Sequence, residues 1–412
     1  MTRDWNGSAI SGVTAGVTGM ERRAARRILE TRGDLRMRAV LWNGEEVRIS
    51  DEPALARVVF RDRGVIPYLA LHPEVGLGDA YASGRLEIEG DLVTALKLFF
   101  GHPEQRGLLR RARDAWRLWD RRSHSLRRAR YNIHRHYDLG NEFYALWLDE
   151  RMAYTCAYFP TPSSSLEEAQ LAKMEHVSRK VWLRPGDRVV EAGCGWGALA
   201  LHMARHHGVT VTAYNISSEQ VRYARELARR EGLADRVEFR EDDYRNVRGR
   251  YDAFVSVGML EHVGDENYAE LGRVIDRSLE PHGRGLIHSI GRIQRRPMDP
   301  WIDKHIFPGS YSPKLEEMVG ILSPHDLAVI DVENLRMHYE KTLTHWLERF
   351  EKNAAAIERR FDARFVRIFR LYLAGAIASF HVGNLQLWQV VFQRTRSNDL
   401  PWNRARLYVP KG

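Results

Sequence analysis

In "VVEAGCGWGALA", residues 189–200, three glycines alternate directly after an apolar run. They are Gly193, Gly195 and Gly197, and an acid, Glu191, stands just ahead of them. Glycine tolerates the left-handed backbone of a tight turn, and its missing side chain lets a ligand touch the main chain. A phosphate-binding loop would follow its last glycine with Lys-Ser or Lys-Thr, and neither is present. A dinucleotide loop is a closer rival, because Gly193, Gly195 and Ala198 satisfy G-x-G-x-x-A. That reading also places an acid about 20 residues further on to hold a ribose. The next strand ends instead in "AYN", with Asn215 at that point.

The form E-x-G-x-G-x-G is the one typical of S-adenosylmethionine methyltransferases. Glu191 can receive the ammonium of such a ligand through hydrogen bonds or water. Asn215 and Gln220 can hydrogen-bond the ribose and the methionine end. Asp243, after the third strand, can take the adenine amino group.

These residues need a frame. From about residue 166 the sequence alternates helical and strand patterns. "LEEAQLAKMEHVSRKVW" has helical apolar spacing, "PGDRVVEAG" is a turn and a short strand, and "ALALHMARHH" is a helix. "VTVTAYN" reads as a strand and "SEQVRYARELARREG" as a helix with a glycine cap. Two strands, "VEFREDDY" and "YDAFVSVGM", precede the helix "YAELGRVIDRSLEPHG" and the strand "GRGLIHSIG". Alternation of this kind predicts an α/β fold with a mostly parallel sheet covered on both faces. Residues 341–390 read as mostly helical and as packing on that core. Residues 21–101 mix short helical and strand patterns, with turn signals at "WNGEE" and "GRLEIEG".

Composition narrows the setting. The chain has 412 residues, 44% of them hydrophobic, which suffices for a buried core. Its two cysteines, Cys156 and Cys194, cannot form a disulfide framework, so a reducing cytoplasm is expected. No apolar run approaches the ~18 residues of a spanning helix, and the first residues lack a signal-peptide core. The formal charge of +9 favours anionic partners. Within 108–122, Leu108, Leu109, Ala112, Trp116 and Trp119 share one helical face, and arginines occupy much of the remainder. A basic amphipathic helix with tryptophans on its apolar side suits a lipid interface. No recognised nucleic-acid module accompanies the arginines, so no nucleic-acid partner is expected.

Several further motifs carry a family resemblance. "HYDLGNEFY", "YTCAYF", "GCGWGALA", "NISSEQ", "VSVGMLEHVG", "PWIDKHIFPG" and "NLQLWQVVF" occur in that order. Together they resemble the cyclopropane-fatty-acyl-phospholipid synthase family, over nearly all of residues 70–395. The resemblance implies a Rossmann-like class I methyltransferase with a small N-terminal α+β domain and added C-terminal helices. It also implies transfer of the S-adenosylmethionine methyl group to a cis double bond of a phospholipid acyl chain. A carbocation forms, loses a proton and closes to a cyclopropane ring. A bound bicarbonate is the implied base, cradled by Cys156, Glu261, His288, Ile290 and Tyr339. Tyr154, Thr155, Gly193, Cys194, Gly195, Trp196, Gly197, Asn215, Ser217, Gln220, Asp243 and Tyr244 match the cofactor positions beside Glu191. Tyr137 is expected to close the site, and no metal is implied. His262, next to Glu261, is read as structural. Some relatives carry a cysteine in the C-terminal helix; here Ala376 stands there, which rules out a nucleophile at that place.

The chemistry suits these residue types. An alkene is a poor nucleophile, so it must be aligned with the methyl group. The cation must be shielded from water, and aromatic faces such as Trp196 and Trp388 can do so without attacking it. The expected division is a disordered tail (1–20), an α+β domain (21–101), a basic linker helix (102–130) and a catalytic domain (131–412). The expected location is cytoplasmic, peripherally on the inner face of a membrane, where anionic lipid is the partner surface; a second copy of the chain is kept as a further partner. The alternative products are a methylene or methyl branch, from a different fate of the same cation.

Overall fold

A computed structural model describes residues 16–32, 36–101 and 139–408. The chain divides into two compact units, Met1–Glu104 and Gln105–Gly412. The basic segment 108–122, Tyr137 and residues 1–15 of the expected tail lie outside the described residues.

The first unit is α+β. Its described residues form the strands β1 (Met37–Val40), β2 (Glu46–Val47), β3 (Ala56–Phe60) and β4 (Leu86–Gly90), in the order β2-β1-β3-β4. The "WNGEE" turn joins β1 to β2 through Gly44 at φ +86°. A helix begins at Gly19, inside the stretch 1–20 expected to be a tail. Thr18 starts it: its hydroxyl accepts the Glu21 N–H, and the Glu21 carboxylate accepts the Thr18 N–H at 2.7 Å. This reciprocal cap satisfies donors that a helix start otherwise leaves open.

Among the described residues the second unit has seven strands: β5 (Arg188–Ala192), β6 (Thr210–Asn215), β7 (Val237–Glu241), β8 (Tyr251–Val257), β9 (Leu279–Gly291), β10 (Leu327–Asn334) and β11 (Gln386–Arg394). Their order is β10-β11-β9-β8-β5-β6-β7. Six strands run in one direction and β11 runs against them. The chain leaves β5 outward to β6 and β7, then returns to β8 on its other side. That reversal opens a crevice at the carboxyl end of β5, where open α/β sheets hold ligands.

Both faces of the sheet are covered. Val189 contributes to a core with Met174, Val177, Leu201 and Val221, whereas Val190 faces Leu271, Ile275, Met318 and Ile321. Both valines are wholly buried, each contributing about 2 kcal/mol by area removed from water. Ser165 opens the helix Leu166–Lys180 with a capping box to Glu168, and Gly208, at φ +67°, ends the helix Ala198–His207. The helices Arg336–Lys352, Ala354–Arg360 and Ala363–His381 add to this core. Phe143 meets Phe361, Phe365 and Phe369 edge-on at 5.0–5.4 Å.

Two expected boundaries move. The helix expected over "YAELGRVIDRSLEPHG" stops at Ser278, and Leu279–Gly283 already belong to β9. Pro281 lacks the N–H that a continuing helix would need. Residues 386–390, expected to be helical, enter the sheet as β11, with Leu387 opposite Ile290 and Gln389 opposite His288.

Candidate active site

A cleft of about 1070 Å³, counted to its open mouth, lies at the end of β5. Gly193, Gly195 and Gly197 all have positive φ, at +85°, +53° and +89°. Their surroundings differ. A Cβ on Gly197 would lie 2.6 Å from the Phe239 ring and 2.9 Å from the Ala224 Cβ, and one on Gly193 would lie 2.8 Å from the Met259 Cβ. A Cβ on Gly195 would meet nothing within 4 Å. Gly197 and Gly193 thus let the turn pack, whereas Gly195 leaves its backbone open to the cleft.

The cleft walls come from several segments, four of which carry the expected cofactor residues. Glu191, Gly193, Cys194, Gly195 and Trp196 come from β5 and its loop. Asn215 and Gln220 line a second wall, and Asp243 and Tyr244 a third. Tyr154 and Thr155 line the fourth. Asn215 Nδ2 donates to Gly195 O at 3.2 Å and to Gln220 Oε1 at 2.8 Å, which ties the loop to the next helix. Ser217 stands behind the wall as the cap of the helix Ser218–Arg230, its hydroxyl accepting the Gln220 N–H. Gly197 likewise turns the chain into the helix Ala198–His207 without lining the cleft. Trp196 donates its indole N–H to Asn141 Oδ1 at 2.7 Å. The Tyr154 hydroxyl pairs with that of Tyr372 at 3.0 Å, and its ring packs on Trp147 and Trp346.

Among the ionisable groups that line the cleft, which include Lys173, Asp243 and Arg245, one acid stands out, Glu191. It is buried, its Oε2 has no hydrogen-bond partner, and burial pushes its carboxyl up to about 8 against the opposing pull of Lys173. An unpaired buried carboxylate oxygen is costly to leave unmet, so it marks a place for a donor.

A second cluster joins the expected catalytic residues. Ile290 N–H donates to Glu261 Oε1 at 2.6 Å. Glu261 Oε2 is buried without a partner, and burial pushes the carboxyl up to about 7. His288 is buried, which depresses its ring to about 3 and keeps it neutral. Gln389 Nε2 lies 3.0 Å from His288 Nδ1; with that amide orientation the ring proton sits on Nε2. Cys156 is buried with its thiol pushed up by burial, so it stays a neutral thiol that bonds Ala157 O at 3.1 Å. Its Sγ also lies 3.9 Å from Leu335 O, which accepts the Tyr339 N–H. Leu335 N in turn donates to Leu387 O, opposite Ile290. A series of hydrogen bonds and one strand pairing therefore links Cys156, Tyr339, Ile290 and Glu261. His288 and Ile290 lie within β9, in the stretch "GRGLIHSIG" expected to be a strand, and pairing with β11 runs to Gly291.

A model of the family described as mycolic acid cyclopropane synthetase matches residues 124–390. The chain belongs to this family. It is 38% identical over 334 residues to the cyclopropane-fatty-acyl-phospholipid synthase of Escherichia coli (strain K12), covering 79% of this chain and 85% of that one. It is 36% identical over 394 residues to a probable fatty acid methyltransferase of Pseudomonas putida, covering 91% and 96%. Among solved structures, that of the mycolic acid cyclopropane synthase CmaA1 complexed with SAH and CTAB matches with a TM-score of 0.61 at 27% identity, over 64% of this chain and 98% of that one. The family member described here is an S-adenosylmethionine-dependent methyltransferase of the class I fold.

The sequence reading did not assign to the cleft His262 and Lys173, which line it, or Gln170, which supports its wall. His262, read as structural, lines the cleft beside Met259, while its neighbour Glu261 points into the second cluster. Gln170 and Lys173 sit one turn apart on the helix Leu166–Lys180. Gln170 Nε2 donates to Ala153 O and Thr155 O, and Lys173 Nζ donates to Thr155 Oγ1 at 2.7 Å. A glutamine and a lysine in an otherwise ordinary helix give no local signal; only their burial does. Among the described residues, one group of metal-ligating types gathers elsewhere. Glu175 Oε2 lies 3.3 Å from His202 Nε2 and 3.0 Å from His207 Nε2, and Glu175 Oε1 pairs with Arg179. These bonds hold the two helices together.

Proposed function

We propose that the protein transfers the methyl group of S-adenosylmethionine to the cis double bond of unsaturated phospholipid acyl chains and closes a cyclopropane ring. The observation that carries this reading is the Glu261 carboxyl, buried with one oxygen on the Ile290 N–H and the other unmet. A polar-acceptor methyltransferase has no need of such a cluster.

Bicarbonate fits these residues. Glu261 Oε2 can accept an O–H, the neutral His288 can donate from Nε2, and Tyr339 carries a hydroxyl on the adjoining helix. Bicarbonate supplies a firmly held, weakly nucleophilic base, and S-adenosylmethionine supplies the electrophilic methyl group. The chain's own residues orient and protect. Glu191 receives the methionine end, Asn215 and Gln220 meet the ribose side, and Asp243 meets the adenine. Tyr154, backed by Trp147 and Trp346, presents an aromatic face that excludes water and tolerates a passing cation. Cys156, a neutral buried thiol, acts as packing and a backbone anchor and not as a nucleophile.

A second reading gives a methylene or methyl branch in place of the ring, from a different fate of the same cation. Mass spectrometry of lipids from a host expressing the chain separates the two. The expected result is one added CH2 on unsaturated chains, with fragmentation placing a ring at the former double bond. A branched or methylene product supports the second reading, and unaltered lipids overturn both.

Reaching a bilayer lipid requires a surface contact. Among the described residues no helix is long and apolar enough to cross a membrane. The proposed contact is the basic amphipathic segment 108–122, on anionic head groups at the inner face of the membrane.

A further inference from the structure

The most unusual charge in the cleft is a cation. Lys173 is 3% exposed, projects from the middle of the helix Leu166–Lys180 and lines the same cleft as Glu191. Its ammonium donates to a hydroxyl, Thr155 Oγ1, at 2.7 Å. A buried ammonium is costly unless charge of the opposite sign acts on it. A cation is also an odd lining for a cleft that must hold a sulfonium, unless it serves an acid there.

We propose that Lys173 is a positioning residue for the methyl donor: its ammonium pins the Thr155 wall and is the positive charge that readies Glu191 for the methionine end. The inference rests on the assignment of this cleft to S-adenosylmethionine.

Thr155 is held from two sides. Lys173 takes its hydroxyl, and its methyl packs on Gly258, where an added Cβ would lie 2.8 Å from Thr155 Cγ2. Gln170, three residues before Lys173, fixes the same segment through Ala153 O and Thr155 O. One helix face therefore sets the position of the wall that adjoins Tyr154.

The groups that face Lys173 come from several elements. They are Asp149 from the turn before the wall, Cys156 from the wall itself, Glu191 from β5 and His288 from β9. Cys156 and His288 are neutral, as described above. Asp149 Oδ1 accepts the Ala153 N–H at 2.9 Å and Oδ2 the Arg151 N–H at 3.0 Å. Glu191 has the unmet oxygen. Burial pushes Glu191 up and Lys173 down, and the charge of each favours the ionised form of the other. Without Lys173, Glu191 would hold its proton to a higher pH, and the ammonium of the donor would meet a neutral acid.

Calorimetric titration with S-adenosylhomocysteine across pH 6–9 tests this without any lipid acceptor. It therefore fails or succeeds independently of the ring-forming reaction. The parent should bind more tightly as pH rises through about 8, where Glu191 ionises. Lys173→Met should shift that rise upward and weaken binding about tenfold or more at pH 7, one decade for each pKa unit. Lys173→Gln keeps a donor for Thr155 without the charge. It should behave like the methionine variant, and it also serves if that variant does not fold by circular dichroism. Glu191→Gln should abolish the pH dependence, and Lys173→Met should then add little. An unchanged profile in both lysine variants overturns the proposal. So does full recovery in Lys173→Gln, or an undiminished loss in the Glu191→Gln background.

Discussion

Ile290 gives its backbone N–H to Glu261 Oε1 at 2.6 Å, across from a strand to a short 3-10 turn. One carboxylate oxygen is thereby fixed and the other is left buried and unmet. The pairing orients Glu261 before any ligand arrives, at the cost of holding a carboxyl where burial pushes it up to about 7.

That cost makes a stability prediction with a definite sign. A carboxyl raised from 4.5 to about 7 in the folded state binds its proton more tightly than the unfolded chain does. Stability from this group is therefore full below about pH 4.5 and falls as pH rises toward 7. Glu261→Gln keeps the shape and the Ile290 bond but cannot ionise. Its unfolding free energy relative to the parent should improve between pH 5 and pH 8, by about 3 kcal/mol at most. Turnover should fall by about 100-fold or more, with cofactor affinity nearly intact. Equal pH slopes in the two proteins would falsify the buried-acid account.

The two ends of the glycine loop should fail differently. Gly197→Ala meets Phe239 and Ala224 inside 3 Å and a backbone at φ +89°, so it should lose about 2 kcal/mol or more of stability. Gly195→Val meets open space on the cleft side at φ +53°. It should cost about 1 kcal/mol in folding but at least tenfold in affinity for S-adenosylmethionine. Thermal melts paired with calorimetry separate the two effects; identical behaviour would sink the distinction.

The Glu175 cluster predicts an acid-sensitive joint between two helices. Hydrogen bonds from His202, Arg179 and His207 hold the Glu175 carboxyl well below its ordinary range. A depressed carboxyl stabilises above the unfolded value near 4.5, and that contribution is lost as pH falls further. Glu175→Gln should cost about 1–2 kcal/mol at pH 7, with the difference from the parent shrinking in acid. Denaturant unfolding at pH 7 and pH 4 checks this, and a constant difference would count against it.

Salt should weaken membrane attachment if 108–122 carries it, because exposed charge attraction is screened. Replacing Arg110, Arg111, Arg113 and Arg117 with glutamine should reduce sedimentation with anionic vesicles and spare cofactor binding. Vesicle binding as strong as the parent's would move the contact elsewhere on the molecule.

The sequence by itself determined the parallel core and the turn at its centre. Apolar runs of strand length alternating with amphipathic helices admit few arrangements, and Gly193, Gly195 and Gly197 can only mark a close approach of backbone. It did not determine which glycine faces the ligand: Gly195 and Gly197 are alike in the chain and differ only in whether Phe239 and Ala224 stand beside them. The long-range closure of the sheet was also illegible. Residues 386–390 follow a helix and read as its continuation, yet backbone pairing with β9 makes them the start of a strand. Periodicity tells which face of Leu166–Lys180 is buried but not what covers it. Lys173 became part of the cleft, and His262 turned toward it while Glu261 turned away, because elements far apart in the chain packed there. Burial and charge at a site are properties of everything that surrounds it, and those neighbours are assembled only when the chain folds.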